Sequence, residues 1–301
     1  MSSLLTNSTA MTALQTLRSV SSQLATTQTR ISTGQRVSTA SDNAAYWSIA
    51  TSMRADNAAL SAVSDSLGLS AATVDTEYTA LTAVVGDSTG GLTKLQSLLV
   101  EAKTAGIDRT KIQADVTQIQ QQMKGTADAA TFNGVNWLST TTATPTTFDL
   151  VSSFSRVGGT PTIGSITLTI SKYSLYTSST TGILDTVSSG ASINTIDITS
   201  LTDAPTDQAT LSAYITQVTA ALNSVASAAA DLGAVKNRIA TNTDFVKTLM
   251  DSVTRGVGQL VDADMNAEST RLQALQTQQQ LGVQALSIAN QNSQSILSLF
   301  K

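Results

Sequence analysis

Proline placement constrains this chain more than any other feature. All three prolines, Pro145, Pro161 and Pro205, fall in one central stretch, and residues 1–144 and 206–301 contain none. An interior proline costs a helix roughly 3 kcal/mol, so long helices are permitted in both flanks and disfavoured between them. The centre also changes texture. Thr140 to Pro145 is a threonine-rich run, and Ser165-Ile166-Thr167-Leu168-Thr169-Ile170 alternates polar with apolar residues. Ile193 to Ile198 partly repeats that period of two, and Gly158-Gly159, Gly164 and Gly182 punctuate the region. Alternation with β-branched residues between glycines reads as strand. Residues 140–205 are therefore expected to form a small β-rich insert.

The flanks follow a helical rhythm. Tyr46, Ile49, Met53, Leu60, Val63, Leu67, Val74 and Leu81 recur at three- and four-residue steps, with Ser41 in the N-cap position. Leu92, Leu95 and Leu99 resume it after Gly86 and Gly90-Gly91, glycines that either break the helix or weaken it. Ile112, Val116, Ile119 and Met123 predict another helix after Gly106. From Leu211 through Val218, Val225, Leu232, Ile239, Val246 and Val253 to Leu260 one stripe persists, implying a helix about 75 Å long. Such a length predicts a coiled-coil-like bundle. The fold class expected is mainly α: a long antiparallel helical bundle formed by both chain ends, carrying a small β-rich insert.

The two ends share an unusual chemistry. Leu14, Leu17, Leu24 and Ile31 hold coiled-coil spacing, with Ser21 and Gln28 in the positions between. Leu272, Leu275, Leu286, Ala289, Ile296 and Phe300 do the same, with Gln279, Gly282 and Ser293 between. Residues 1–33 carry only Arg18 and Arg30 as charges, and residues 269–301 only Arg271 and Lys301. Half-polar seams do not repay the ordering entropy of isolated helices in water. A surface so poor in charge is nonetheless cheap to desolvate inside an assembly. The ends are thus expected to be disordered in a free monomer and to fold on polymerisation.

Catalytic chemistry finds little to work with. The 301 residues contain no His and no Cys, which excludes imidazole and thiolate nucleophiles, Ser-His-Asp triads, disulfides and the common zinc sites. Asp149, Asp185, Asp197 and Asp203 have no spacing that pairs them, and Gly90-Gly91 lacks the sequel of a phosphate loop. Asp262, Asp264 and Glu268 form the densest acidic cluster, better read as a solvated helix face with Glu268 near Arg271 than as a cation site. Asp42 beside Ser41 reads as capping. Asn7-Ser8-Thr9 matches a glycosylation acceptor, with an unmodified disordered end preferred, and Asn133-Gly134 signals a hairpin turn. Neither catalysis nor a cofactor or metal is expected. A net charge of −4 with no basic block argues against nucleic acid, and no apolar run approaches a membrane span. The start of the chain shows no basic and apolar leader, so composition alone fits either a cytoplasmic protein or one exported by a route that needs no cleavable signal.

Several co-ordered segments resemble bacterial flagellin. They are Arg30-Ile-Ser-Thr-Gly-Gln-Arg-Val-Ser-Thr-Ala-Ser-Asp-Asn-Ala-Ala45, Phe132-Asn-Gly-Val-Asn-Trp-Leu138, Leu232-Gly-Ala-Val-Lys-Asn-Arg238, and Ala289-Asn-Gln-Asn-Ser-Gln-Ser-Ile-Leu-Ser-Leu-Phe300. The likeness covers about 1–139 and 206–301. It implies a filament subunit, secreted unfolded through the flagellar type III apparatus and serving motility outside the cell. Residues 1–33 and 264–301 would form coiled-coil segments lining an inner tube, 34–139 and 206–263 a helical bundle, and 140–205 a variable surface insert. The implied partners are further copies in a helical homopolymer (alone or mixed with other flagellins), an export chaperone, and cap and hook-associated proteins. The resemblance also places Gly86–Gly91 inside one continuous helix.

Many flagellins carry an Arg-rich segment recognised by the host Toll-like receptor. Here the matching stretch has Lys94 and Gln96 in place of arginines and Ser97 in place of a glutamate, before Leu98; Gln122 replaces another glutamate. Lysine is no substitute for arginine at a bidentate contact, so weak recognition is expected. Two other readings stay open at this stage: a hook–filament junction protein, and a cell-surface flagellin homologue that binds carbohydrate through Phe148, Phe154, Tyr173 or Tyr176.

Overall fold

A computed structural model describes residues 7–140, 146–157, 160–188 and 190–298, with backbone alone for 157 and 292–298. Helices α1 (Ser8–Thr33), α2 (Ala44–Val85), α3 (Gly91–Ala102) and α4 (Arg109–Ala129) precede the strands β1 (Ser139–Thr140), β2 (Thr147–Val157), β3 (Thr160–Thr169) and β4 (Tyr176–Thr177). Helices α5 (Pro205–Val261) and α6 (Met265–Ser298) follow. The chain divides into two compact units, one of residues 1–58 with 250–301 and one of residues 59–249.

The 59–249 unit is organised by heptads. On α5, Leu211, Val218, Val225, Leu232, Ile239 and Val246 are all buried, and Tyr214, Ala221, Ala228 and Val235 fill the alternate positions. Seven-residue periodicity in both sets makes a coiled-coil seam. Pro205 opens α5 at the first helical position, where its missing N–H costs nothing. At 57 residues the helix is about 85 Å long. One stretch of α5 is long and apolar enough to cross a membrane, against the sequence expectation. Alanines such as Ala226, Ala228, Ala229 and Ala230 raise its hydropathy without forming a bulky apolar run, and its large apolar residues face the seam.

Across the bundle, α2 contributes Leu60, Val63, Leu67, Val74, Leu81 and Val84. Glu77 falls on the same stripe and is fully buried. Its Oε1 accepts the Trp137 backbone N–H at 2.9 Å, while Oε2 finds no partner among the described residues. Burial pushes its carboxyl up to about 7, against the smaller opposing pull of that hydrogen bond.

The continuous helix implied by resemblance is corrected here: α2 stops at Val85 and α3 restarts at Gly91. Gly86 and Gly91 adopt φ of +69° and +70°, a region L side chains avoid. A Cβ at Gly86 would stand 2.0 Å from the Gly90 carbonyl oxygen. Between them Asp87 Oδ1 accepts the Thr89 amide and hydroxyl at 2.7 and 2.6 Å, closing a turn. The Thr93 hydroxyl then satisfies the Val85 carbonyl at the end of α2.

The centre packs onto the helices. Strands β2 and β3 form an antiparallel hairpin with an irregularity between Val151 and Ser153, and β1 pairs parallel with β4. Asn133 and Gly134 take φ of 48° and 77° in a tight turn bridged by Phe132 and Val135, as their dipeptide predicts. Ile193–Ile198 is not a strand. Ile193–Thr195 is a 3₁₀ turn, and Ile193, Ile196 and Ile198 are all buried. Gln120 Nε2 takes the Ile193 and Ile196 carbonyls at 2.9 and 3.1 Å, which removes any need for a strand partner. Trp137 packs at a tilt against Phe148 and Tyr173 with centroids 5.4 and 6.3 Å apart, and the Tyr173 hydroxyl donates to Asp231 on α5. Tyr173 and Tyr176 are buried, so neither offers a face for sugar stacking. Gly158-Gly159 and 141–145 lie outside the described residues.

Candidate assembly interface

The other unit brings the chain ends together. Gly34, at φ +68°, ends α1 in the left-handed conformation. The following residues pair with the junction of α5 and α6: the Arg36 amide donates to the Val261 carbonyl at 2.6 Å, and the Ala263 amide to the Gly34 carbonyl at 2.9 Å. Asp264 caps α6 by accepting the Asn266 and Ala267 amides at 2.9 and 3.2 Å. Residues 34–37 and 261–264 thus act as one clasp, from which α1 and α6 run as an antiparallel pair. At the far end the Asn7 Oδ1 caps α1 through Ala10 N–H, and its Nδ2 donates to the Ala289 carbonyl, each at 3.0 Å. Asn7 is therefore the N-cap of α1 and ties its start to α6.

The seam differs in phase from the one read in the sequence. On α1 the inward positions are Ala10, Ala13, Leu17, Val20, Leu24, Thr27 and Ile31, an unbroken alternation of three and four. Leu14 lies outside it at 37% exposure, and Ser21 and Gln28 face away. Val20 and Thr27 are the residues buried there, a pair that sequence reasoning missed because a threonine hides the phase. On α6 the inward positions are Glu268, Leu272, Leu275, Gln279, Gly282, Leu286 and Ala289. Only Glu268 and Leu275 are buried. Gly282 lets the helices close: a Cβ there would lie 3.2 Å from Leu17 Cδ1. The side chain of Ile296 and all of Phe300 lie outside the described residues.

Polar detail at the clasp also departs from expectation. Glu268 does not face Arg271; its Oε1 accepts from Arg30 Nη1 at 3.0 Å across the pair, and Glu268 is only 9% exposed. The acidic cluster is thereby divided between a cap and an ion pair. Ser41 is not the N-cap of α2, since Asn43 accepts the Tyr46 amide at 3.1 Å. Asp42 instead gathers the Ser38 and Thr39 amides at 3.0 and 2.9 Å, and those hydrogen bonds hold its carboxyl below the usual range.

The receptor-equivalent residues belong to the 59–249 unit. Leu98 is buried with Leu92, Leu95 and Leu99, so it serves the core and offers no contact surface. Lys94 is half-buried, Ser97 and Gln122 are exposed, and Gln96 Nε2 donates to Thr219 Oγ1 on α5 at 2.9 Å.

Two terminal helices that pair with each other yet leave most of their surface bare define a self-assembling structural subunit. The description "Bacterial flagellin N-terminal helical region" matches residues 4–143, and "Bacterial flagellin C-terminal helical region" matches 215–300. Similar proteins include flagellin C of Rhizobium meliloti (strain 1021), 43% identical, and flagellin A of Rhizobium meliloti, 39% identical. The flagellin of Brucella melitensis biotype 1 is 45% identical, and all three alignments span 100% of both chains. The chain belongs to the bacterial flagellin family. It is a structural subunit that self-polymerises into the flagellar filament, an extracellular assembly.

Proposed function

We propose that the chain serves swimming motility, is exported unfolded through the flagellar type III apparatus, and joins the growing tip with its terminal segments ordering only then. Residues 1–33 and 264–301 line the inner tube, 34–139 and 206–263 build the bundle around it, and 140–205 faces outwards. Leu14, Leu17, Leu24, Ile31, Leu272, Leu275, Leu286, Ile296 and Phe300 carry the contacts. An export chaperone shields the C-terminal stripe before assembly, and cap and hook-associated proteins bound the filament. The observation that carries this reading is the thinness of the terminal seam. Leu17, Leu24, Ile31, Leu272 and Leu286 stay only half-buried in the pair, while Met11, Leu281, Val283 and Ile288 are 65, 58, 53 and 59% exposed. Neighbouring subunits supply the missing burial through a heterologous contact whose rotation does not close.

Electron microscopy of purified monomer in concentrated kosmotropic salt, which strengthens burial, tests the proposal. Long helical filaments are expected. A sample that stays monomeric, even when seeded, would move weight to a junction or surface-binding role.

Weak recognition by the Toll-like receptor for flagellin is a second expectation. Gln96 is held by Thr219 and carries no charge, and Lys94 cannot make a bidentate contact. A reporter-cell assay should give far lower potency than a strongly stimulating flagellin. Equal potency would contradict it.

A further inference from the structure

The chain has two tryptophans, and they sit in opposite environments. Trp137 is fully buried, whereas Trp47 is 37% exposed in the first turn of α2. Beside it Tyr46 is 41% exposed and Ile49 50%. Single apolar side chains at a surface are ordinary, but this turn holds three large ones within four residues, two of them aromatic. Tyr, Phe and Trp together number only 12 in 301 residues. At ~100° per residue the three cover an arc of roughly 160°. Tyr46 prolongs the stripe through Ala50 and Met53, with Trp47 and Ile49 on its two flanks. Ala50 is buried at 1%, so the stripe is covered one turn further along and bare at its start.

We infer that the first turn of α2 is an anchor for a second copy of this chain, seated through Tyr46, Trp47 and Ile49 and separate from the seam of the paired ends. The inference rests on the filament reading and names a surface within it. Three observations favour a second copy as the occupant. The chain is a polymer subunit, so every copy presents this turn to neighbours at high local concentration. Residues 44–53 contain no charged side chain, which makes their desolvation cheap. The patch is also continuous along the chain with the clasp at 34–37 and is held rigid by its own turn. Asp42 Oδ2 takes the hydroxyls of Ser38 and Thr39 at 3.2 and 3.1 Å as well as their amides, and Asn43 caps the helix. A preorganised patch loses little entropy on docking, and tryptophan and tyrosine dominate the energetics of such centres.

Acrylamide quenching of the full-length chain before and after salt-driven polymerisation reads this surface, because Trp137 is shielded in both states. About half of the emission should be quenchable in the monomer. In filaments that fraction should fall severalfold, with a blue shift. Trp47→Ser should leave the far-ultraviolet circular dichroism of the monomer unchanged, because the side chain is outside the core. It should raise the critical concentration for polymerisation about tenfold or more. Filaments in which Trp47 stays quenchable, or a Trp47→Ser critical concentration equal to wild type, would overturn this surface and leave the filament reading intact. A wild-type chain that forms no filaments would contradict the filament reading and this surface with it.

Discussion

Deleting residues 1–33 should abolish filament formation, with no polymer at salt and protein concentrations where the full chain assembles completely. The deletion removes α1 and with it the inward partners of α6 among the described residues, from Ala10 opposite the far end to Arg30 at the clasp. Glu268 would lose both its Arg30 partner and the cover of α1, so the one ion pair across the seam among the described residues and the burial around it go together. The 34 residues of α6 would then have neither a cis partner nor the helix propensity to stand alone. The 59–249 unit contains none of these residues, so its thermal transition should stay within a few degrees of the full chain's. Sedimentation after salt addition reads the first outcome, and calorimetry the second. Filaments at normal yield from the shortened chain would remove the ends from the mechanism.

The second large effect is a dependence on pH centred on Glu77. Its carboxyl titrates near 7 in the folded chain against 4.5 for an unburied glutamate. The folded state therefore holds a proton that the unfolded chain has already released between those values. Stability from this group is fully present below about pH 4.5, falls as pH rises, and is gone above about pH 7. At about 1.4 kcal/mol per pKa unit the loss reaches roughly 3 kcal/mol. Carboxyls held low by hydrogen bonds act in the opposite direction: Arg109 and the Gly106 amide on Asp203, and the Thr202 hydroxyl and amide on Asp207. Their contribution is lost only as pH falls below the ordinary aspartate value of 3.8, which leaves the window above 4.5 to Glu77. Denaturant unfolding at pH 5 and pH 8 should show this drop in wild type and little of it in Glu77→Gln. A wild-type curve flat across the window would contradict the assignment.

Much of the helical architecture was legible because heptads announce themselves. The stripe from Leu211 to Leu260 predicts α5 within a few residues, and the confinement of proline to 145–205 places the strands. What escaped was decided by groups that periodicity does not weigh. Val20 and Thr27 set the phase of the terminal seam, but a leucine at 14 and a threonine at 27 point to the wrong face. Gly86 and Gly91 break the helix through positive φ, which is a property of the backbone rather than of spacing. Alternation at Ile193–Ile198 arises from three isoleucines packing against α4, with Gln120 in place of a sheet partner. Glu77 did leave a signal: it lies three residues after Val74 and four before Leu81, a charged side chain on a core stripe. The clasp was least legible, since Arg30 and Glu268 are 238 residues apart and only the fold joins them.

The central claim is that the terminal helices lack enough burial to stand without neighbours. Amide hydrogen exchange of residues 8–33 and 265–298, compared between monomer and filament, tests it most directly. The account predicts rapid exchange of both segments in the monomer, beside protected amides in the 59–249 unit, and strong protection of both in the filament. Protection of both segments in the monomer equal to that in the filament would contradict it.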